Sequence, residues 1–293
     1  MKFGTQLGSV GRRELCEALP YARALGCEGL EVYLPVTEIG TGKTSLDGVL
    51  KEAERMRRAF SDARMGFISL TPGILLKHVQ RPEVIKNTCL AAEALGAGQI
   101  RMFFAPHVRW GGPTSKLNDW MAEFDGTRDA RDWMKRDAEA LARLLALSEG
   151  YDVRYVFELH HGYVINSASA AMRMLERHPA ERVGILMDPG NMVFEGNEGW
   201  RNSIQIMGEY LAYLHCKNAT YRRDGKRWTH QWASLEDGVA NYGEIVTALK
   251  DIDFQGYLSI EDLRPGLAPE ESVGKGIRFL KGLAESSERV MPV

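Results

Sequence analysis

Val156-Phe157-Glu158-Leu159-His160-His161-Gly162 is the stretch on which the reading of this chain turns, with Leu186-Met187-Asp188-Pro189-Gly190-Asn191 as its counterpart further on. In both, a short apolar run stops on an ionisable residue and passes directly into turn formers. Leu214-His215-Cys216-Lys217-Asn218 and Ser259-Ile260-Glu261-Asp262 repeat the pattern towards the C-terminus. An acid at the end of a strand can simply cap the following helix, and Asp188 before Pro189 and Gly190 can simply start a turn. Four successive strands ending this way is a stronger signal than any one of them.

Outward from these segments, β-branched or aromatic runs alternate with longer amphipathic ones along the whole chain. Strands are expected at Lys2 to Leu7, Gly29 to Leu34, Gly66 to Leu70, Gln99 to Ala105, Val153 to Glu158, Val183 to Asp188, Leu211 to Lys217 and Tyr257 to Glu261. Between them lie helical stripes such as Val49, Leu50, Ala53, Met56 and Phe60; Pro82 opens the third helix and Gly96 caps it. Eight βα units without a glycine-rich phosphate turn after the first strand favour a closed (β/α)8 barrel over an open doubly wound sheet. The 293 residues then form one domain, 1–293, because such barrels take roughly 250 residues and the surplus falls in one long interval. That interval, an extended loop at about 106–133, carries His107, Trp110, Trp120, Phe124 and Trp133 and is expected either to pack on the barrel or to cover its mouth.

Composition narrows the function. Lys and Arg number 37 against 39 Asp and Glu, leaving a net charge of −2, which lacks the basic footprint of a nucleic-acid binder. No apolar run reaches the roughly 20 residues of a bilayer span, and Met1 to Cys16 lacks the order of a secretory leader, so a cytoplasmic location with no membrane partner is expected. The four cysteines have no CxxC spacing, which argues for reduced thiols.

In a (β/α)8 barrel, strand C-termini converge on one mouth. Three carboxylates and an imidazole brought together there would repel unless a cation lay between them, so Glu158, Asp188, His215 and Glu261 are candidate ligands of a divalent metal. Oxygen donors with one nitrogen suit Mn²⁺ first, with Mg²⁺, Co²⁺ or Zn²⁺ as alternatives. Such a metal could chelate a hydroxy-ketone, acidify the adjacent C–H and stabilise an enediolate, with Glu158 and Glu261 placed to move the proton. His160, two residues past Glu158, is either a further proton-transfer group or a partner that orients a ligand; His161 is expected to point elsewhere. If His215 faces inward, Cys216 faces the helices, while Lys217 shares the side of His215 and either supports the site or lies outside it. His107, Trp110, Asn191, Lys217 and Arg222 are candidate substrate-binding residues. The charged run from Thr220 to Trp232 reads either as a solvated loop or as a clamp in which Arg222 or Arg223 grips a hydroxyl while Trp228 or Trp232 stacks.

These motifs resemble the sugar-phosphate isomerase/epimerase superfamily, whose members share a xylose-isomerase-like TIM barrel and include ketose 3-epimerases and inosose dehydratases. Leu25-Gly26-Cys27-Glu28-Gly29-Leu30-Glu31 is similar to that family's second strand, and Leu235-Glu236-Asp237-Gly238-Val239 followed by Gly256 to Asp262 is similar to its closing stretch. The resemblance implies Glu158, Asp188, His215 and Glu261 as metal ligands and the two glutamates as an acid/base pair. It therefore implies a metal-dependent isomerase or epimerase acting on a small ketose or related polyol. Two departures, Asn191 where many epimerases carry His and Asn218 where many relatives carry Asp, remove titratable groups. That keeps a keto-sugar lyase, of the inosose dehydratase or C-glycoside deglycosidase type, as the alternative. An apurinic-site endonuclease on the same barrel would need more histidines and a basic groove, and a non-catalytic sugar-binding protein would need no metal. Relatives also suggest a dimer or tetramer.

Overall fold

The computed structural model describes residues 1–11, 13–73, 76–104 and 129–286. His107, Trp110, Trp120 and Phe124 lie outside them.

All eight expected strands form: β1 (Lys2–Gln6), β2 (Gly29–Tyr33), β3 (Gly66–Thr71), β4 (Gln99–Met102), β5 (Arg154–Glu158), β6 (Val183–Met187), β7 (Leu211–Cys216) and, as the eighth barrel strand, β10 (Tyr257–Ile260). They close in the order β1-β10-β7-β6-β5-β4-β3-β2. The ring is shut by parallel pairing of β1 with β10, Lys2 opposite Tyr257 and Thr5 opposite Ile260. Among the described residues, no helix is long and apolar enough to cross a membrane.

The helices follow from local chemistry. Helix α2, between β2 and β3 at Leu46–Asp62, starts where the Ser45 hydroxyl accepts from the Gly48 N–H at 3.1 Å, and it buries Val49, Ala53, Met56 and Phe60 along one stripe. Helix α3 (Pro82–Leu95) ends at Gly96, whose φ of 78° is the left-handed cap that glycine adopts without strain. Helix α4 spans Ala130–Leu147, capped by Asp129. Residues 130–133, expected at the end of the long loop, are thus its first turn.

Period-2 alternation divides the strand residues between two environments. Residues pointing outward join the large apolar cluster under the helices, Leu214 and Cys216 among them. Beside Cys216, Tyr242, the first residue of the helix that precedes β10, donates its hydroxyl to the Lys217 carbonyl at 2.8 Å. Inside the barrel, among the described residues, Ile68, Val156, Leu186, Ala212 and Tyr213 form an apolar floor. One step higher on the same strands stand Glu158, Asp188 and His215, so the apolar floor supports a polar upper layer.

The largest departure from expectation follows β7. The charged run is not a loop: β8 (Asn218–Asp224) and β9 (Arg227–Ala233) pair antiparallel from Asn218 opposite Ala233 to Asp224 opposite Arg227. The two-residue turn Gly225-Lys226, with Gly225 at φ 57°, is of the kind that matches strand twist in tight hairpins.

Candidate metal centre

Glu158 ends β5, Asp188 follows β6, His215 lies in β7 and Glu261 follows β10. One donor atom from each lies within 4.8 Å of the others. Asp188 has both roles raised by its sequence: Oδ1 accepts from the Asn191 N–H at 2.9 Å, capping a short helix, α5 here being Ala168–Leu175 and α6 Pro189–Phe194, while Oδ2 faces the cluster.

His215 is completely buried and oriented from behind. Its Nε2 donates to Glu31 Oε1 at 2.9 Å, so in the neutral ring the Nδ1 lone pair faces the three acids. Nδ1 lies 3.4 Å from Glu158 Oε1, 3.3 Å from Glu261 Oε2 and 3.8 Å from Asp188 Oδ2, yet it has no hydrogen-bond partner. A buried polar atom left without a partner needs a reason, and a cation among four converging donors supplies one.

The charge balance leads to the same conclusion. Three buried carboxylates, Glu31, Glu158 and Asp188, and the partly buried Glu261 face two cations, Arg101 and Lys217. With His215 neutral, two negative charges remain uncompensated, which a divalent ion would neutralise. Burial raises the Asp188 carboxyl to about 7, with Glu158 and Glu261 adding to the shift against the opposing Lys217 ammonium. Burial would also raise Glu158, but Arg101 and His215 outweigh it and hold this group below the usual carboxylate range. Burial alone would discharge His215; the carboxylates of Glu261 and Glu31 instead raise its pKa well above the ordinary value. The residues therefore fit a divalent cation, and their oxygen-rich set suits a hard or borderline one.

Lys217 supports the site from within. Its Nζ lies 2.6 Å from Glu261 Oε2 and 2.7 Å from Asp188 Oδ2. It reaches them past Gly190, where an added Cβ would come within 2.7 Å of Lys217 Cγ. Asn191 is buried and braces the ligands, its amide donating to Asp188 Oδ2 at 2.8 Å and to Glu158 Oε1 at 3.3 Å. Gln6 donates to Glu261 Oε1 at 2.5 Å.

The two histidines after β5 do not simply alternate, because the strand ends at Glu158 and the chain turns, with Tyr163 N–H donating to the His160 carbonyl at 3.1 Å. Their rings stack 4.6 Å apart. His161, expected to point elsewhere, donates from Nδ1 to Asn191 Oδ1 at 2.9 Å and so joins the ligand network at one remove. His160 donates from Nδ1 to the His161 carbonyl at 2.8 Å, which makes Nε2 the basic atom of the neutral ring; burial lowers its pKa despite the Glu158 charge.

Glu31, which closes the second-strand motif, and Arg101 are support residues to which the motifs assign no role. Glu31 also accepts from Ser259 Oγ at 2.6 Å and Tyr213 OH at 3.1 Å, and Arg101 bonds Glu158. The signal was present, since Leu30-Glu31-Val32 and Ile100-Arg101-Met102 each place a charge between two apolar strand neighbours. Asn218 lies away from the cluster. Its side chain bonds Leu235, Ala219 and Ala240 main-chain groups and presses on Gly238, where a Cβ would come within 2.0 Å of it. The Asn at this position therefore serves the loop after β9 and leaves the proton inventory of the cluster unchanged. Arg222 stands exposed on the hairpin, opposite Thr229 and on the face away from Trp232, and is not brought to the cluster.

Comparison with known proteins adds the following. An inosose dehydratase of Clostridium perfringens is 23% identical over 176 residues, 54% of this chain and 58% of that protein, so the chain spans little more than half the length of this curated relative. The solved 3-keto-D-glucoside 4-epimerase from E. coli superposes with a TM-score of 0.71 at 16% identity, covering 96% of this chain and 99% of that one. A xylose isomerase-like TIM barrel protein from Mycobacterium smegmatis, solved in complex with magnesium, superposes with a TM-score of 0.67 at 15% identity over 97% and 96% of the two chains. Residues 19–283 match a single family description, and on that match the chain belongs to the xylose isomerase-like TIM barrel family.

Proposed function

We propose that the protein is a divalent-metal-dependent enzyme that removes the proton beside the carbonyl of a keto-sugar or keto-polyol, with elimination of water as the outcome. Glu158, Asp188, His215 and Glu261 would hold the ion. Once bound, it would polarise the substrate carbonyl and stabilise the negative charge formed there. Mn²⁺ remains the first expectation, with Mg²⁺ the ion bound by the Mycobacterium smegmatis protein.

The observation that favours elimination is the asymmetry of the available proton carriers. Stereochemical inversion needs a base on one face of the substrate carbon and a loaded acid on the other. Glu158 is tied to Arg101 and Glu261 to Lys217 and Gln6, contacts that favour the carboxylate form of each over the loaded acid an epimerase must deliver. His160, two residues past Glu158 and with Nε2 as the basic atom of its neutral ring, can instead take the proton from carbon and pass it to the departing hydroxyl on the same face. The C–H and C–O bonds break, a C=C bond forms, and water leaves. Lys217 orients Glu261 and Asp188 and donates to a substrate oxygen. The inosose dehydratase relatives are consistent with this outcome.

An isomerase or epimerase is the second reading, supported by the two glutamates from separate strands and by the epimerase superposition. Proton and carbon NMR in D₂O on metal-loaded protein with an inosose or 3-keto-glucose separates them. Loss of water with a new unsaturated or deoxy-diketone product is expected, whereas inversion with deuterium uptake and no water loss would overturn elimination. His160→Gln is expected to lower kcat by about 10²- to 10⁴-fold with metal content unchanged. A drop under threefold removes His160 as the base.

A further inference from the structure

The hairpin after β7 presents a ledge of rings that begins at the metal centre. Residues opposite one another in an antiparallel pair share a face, so Ala219 with Trp232, Tyr221 with His230 and Arg223 with Trp228 lie on one side. The Trp232 ring centroid is 4.9 Å from Lys217 Nζ, the ammonium that touches two of the candidate ligands. Phe194, at the end of α6, lies 4.7 Å from Trp232, 4.5 Å from His230 and 4.6 Å from His161, measured between centroids. Tyr221 follows 5.1 Å from His230, and its hydroxyl donates to the Val193 carbonyl at 2.6 Å, which fastens the hairpin to α6. At the far end Trp228 is 67% exposed and Tyr221 47% exposed.

Phe194 and Trp232 also pack against the apolar cluster of the barrel, whereas His230, Tyr221 and Trp228 stand exposed beyond it, where neither the core nor the metal chemistry requires rings. A free monosaccharide or cyclitol is one ring wide and would be accommodated by the donors at the cluster alone. From Trp232 to Trp228 the strand runs four residues, about 13 Å at strand rise, which is room for at least one more ring. Flat rings stack on aromatic faces, and those faces also take the apolar C–H side of a pyranose. The arginine in the ledge, Arg223, lies at its outer end, so the stretch nearest the metal is aromatic and not phosphate-binding in character.

We propose that the hairpin face of Trp232, His230, Tyr221 and Trp228, with Phe194, is a second subsite that holds a ring attached to the reacting keto-sugar, so that a keto-sugar carrying a ring substituent is preferred over the bare keto-sugar. This rests on the reading that the cluster binds a sugar. It assigns the hairpin a selective role: the metal residues choose the oxygens, and the ledge chooses the substituent.

Calorimetric binding to metal-loaded protein tests this without turnover. The probes are phenyl β-D-glucopyranoside, cellobiose and methyl β-D-glucopyranoside. At least one of the first two is expected to bind about fivefold to tenfold more tightly than the methyl glucoside. Preference for the phenyl compound assigns an aryl aglycone, and preference for cellobiose assigns a second sugar. Trp232→Ala and His230→Ala are expected to collapse the preference to under twofold, and Trp232→Phe to retain most of it. Trp228→Ala, at the exposed tip, gives a variant whose folding is safe and is expected to reduce the preference two- to threefold. Equal affinities for all three probes in the unaltered protein overturn the subsite, as does a preference that survives both Trp232→Ala and His230→Ala. A preference that depends on these residues in a protein that turns over no keto-sugar would instead leave the subsite standing and remove the proposed reaction.

Discussion

The barrel mouth and the hairpin beyond it are built from similar residues and behave in opposite ways. Glu31, Arg101, Glu158, Asp188, Lys217 and Glu261 meet in a space from which water is largely excluded, with every carboxylate bonded to a partner. Arg222, Arg223, Asp224, Lys226 and Arg227 are exposed along two strands and the turn that joins them. Charge in the first region is costly and therefore has to be balanced by geometry. In the second it is nearly free, and the aromatic residues carry the information. Counting charged residues cannot distinguish the two regions; burial does.

The contrast can be tested from its strongest side first. Asp188→Asn or His215→Ala should abolish stoichiometric metal binding and lower turnover by about 10³-fold or more, read by metal analysis of the purified variant and by kcat. Retention of one tightly held ion per chain would break the assignment of the cluster. Next, Arg101→Met removes a buried cation and leaves Glu158 and Glu31 undercompensated. Denaturant unfolding should show a loss of about 3–5 kcal/mol, partly recovered with saturating Mn²⁺. Glu31→Gln keeps the volume but weakens the hold on His215 Nε2, and metal affinity by titration should fall about 10- to 100-fold.

A pH series sharpens the same point. Asp188, raised to about 7, and His215, raised well above its ordinary value, hold protons in the metal-free protein that binding must expel. Divalent-ion affinity should therefore rise steeply from about pH 6 to pH 8, with protons released on binding, and Asp188→Asn should remove its share of that release. The smallest effect belongs to the hairpin: Arg227→Ala, at an exposed position, should change stability by less than about 0.5 kcal/mol. A loss of several kcal/mol there would mean that the hairpin charges are buried against another surface.

The barrel strands were legible because their apolar runs are short and their ends chemical. Cys216 went to the helix side as alternation required, and Gly96 capped α3. Asp188 was legible as either a cap or a ligand, and the two carboxylate oxygens allow both. The hairpin was hidden by its charges, although Asp224-Gly225-Lys226 between Thr220-Tyr221 and Trp228-Thr229 is a tight-turn pattern. His161 was misplaced because alternation was extended past Glu158, where the strand had already ended.

Periodicity along each strand fixed which side chains face the lumen, because successive residues of a strand must point to opposite sides, and this much needs no knowledge of the fold. How deep each one sits, and beside what, depends on closure. Gln6 reaches Glu261 across 255 residues of chain and His215 reaches Glu31 across 184, through registers that exist only once β1 has paired with β10 and with β2. Protonation follows from that meeting, because the energy of a charge depends on the water it has lost and the charges it has gained, and both are properties of the closed barrel.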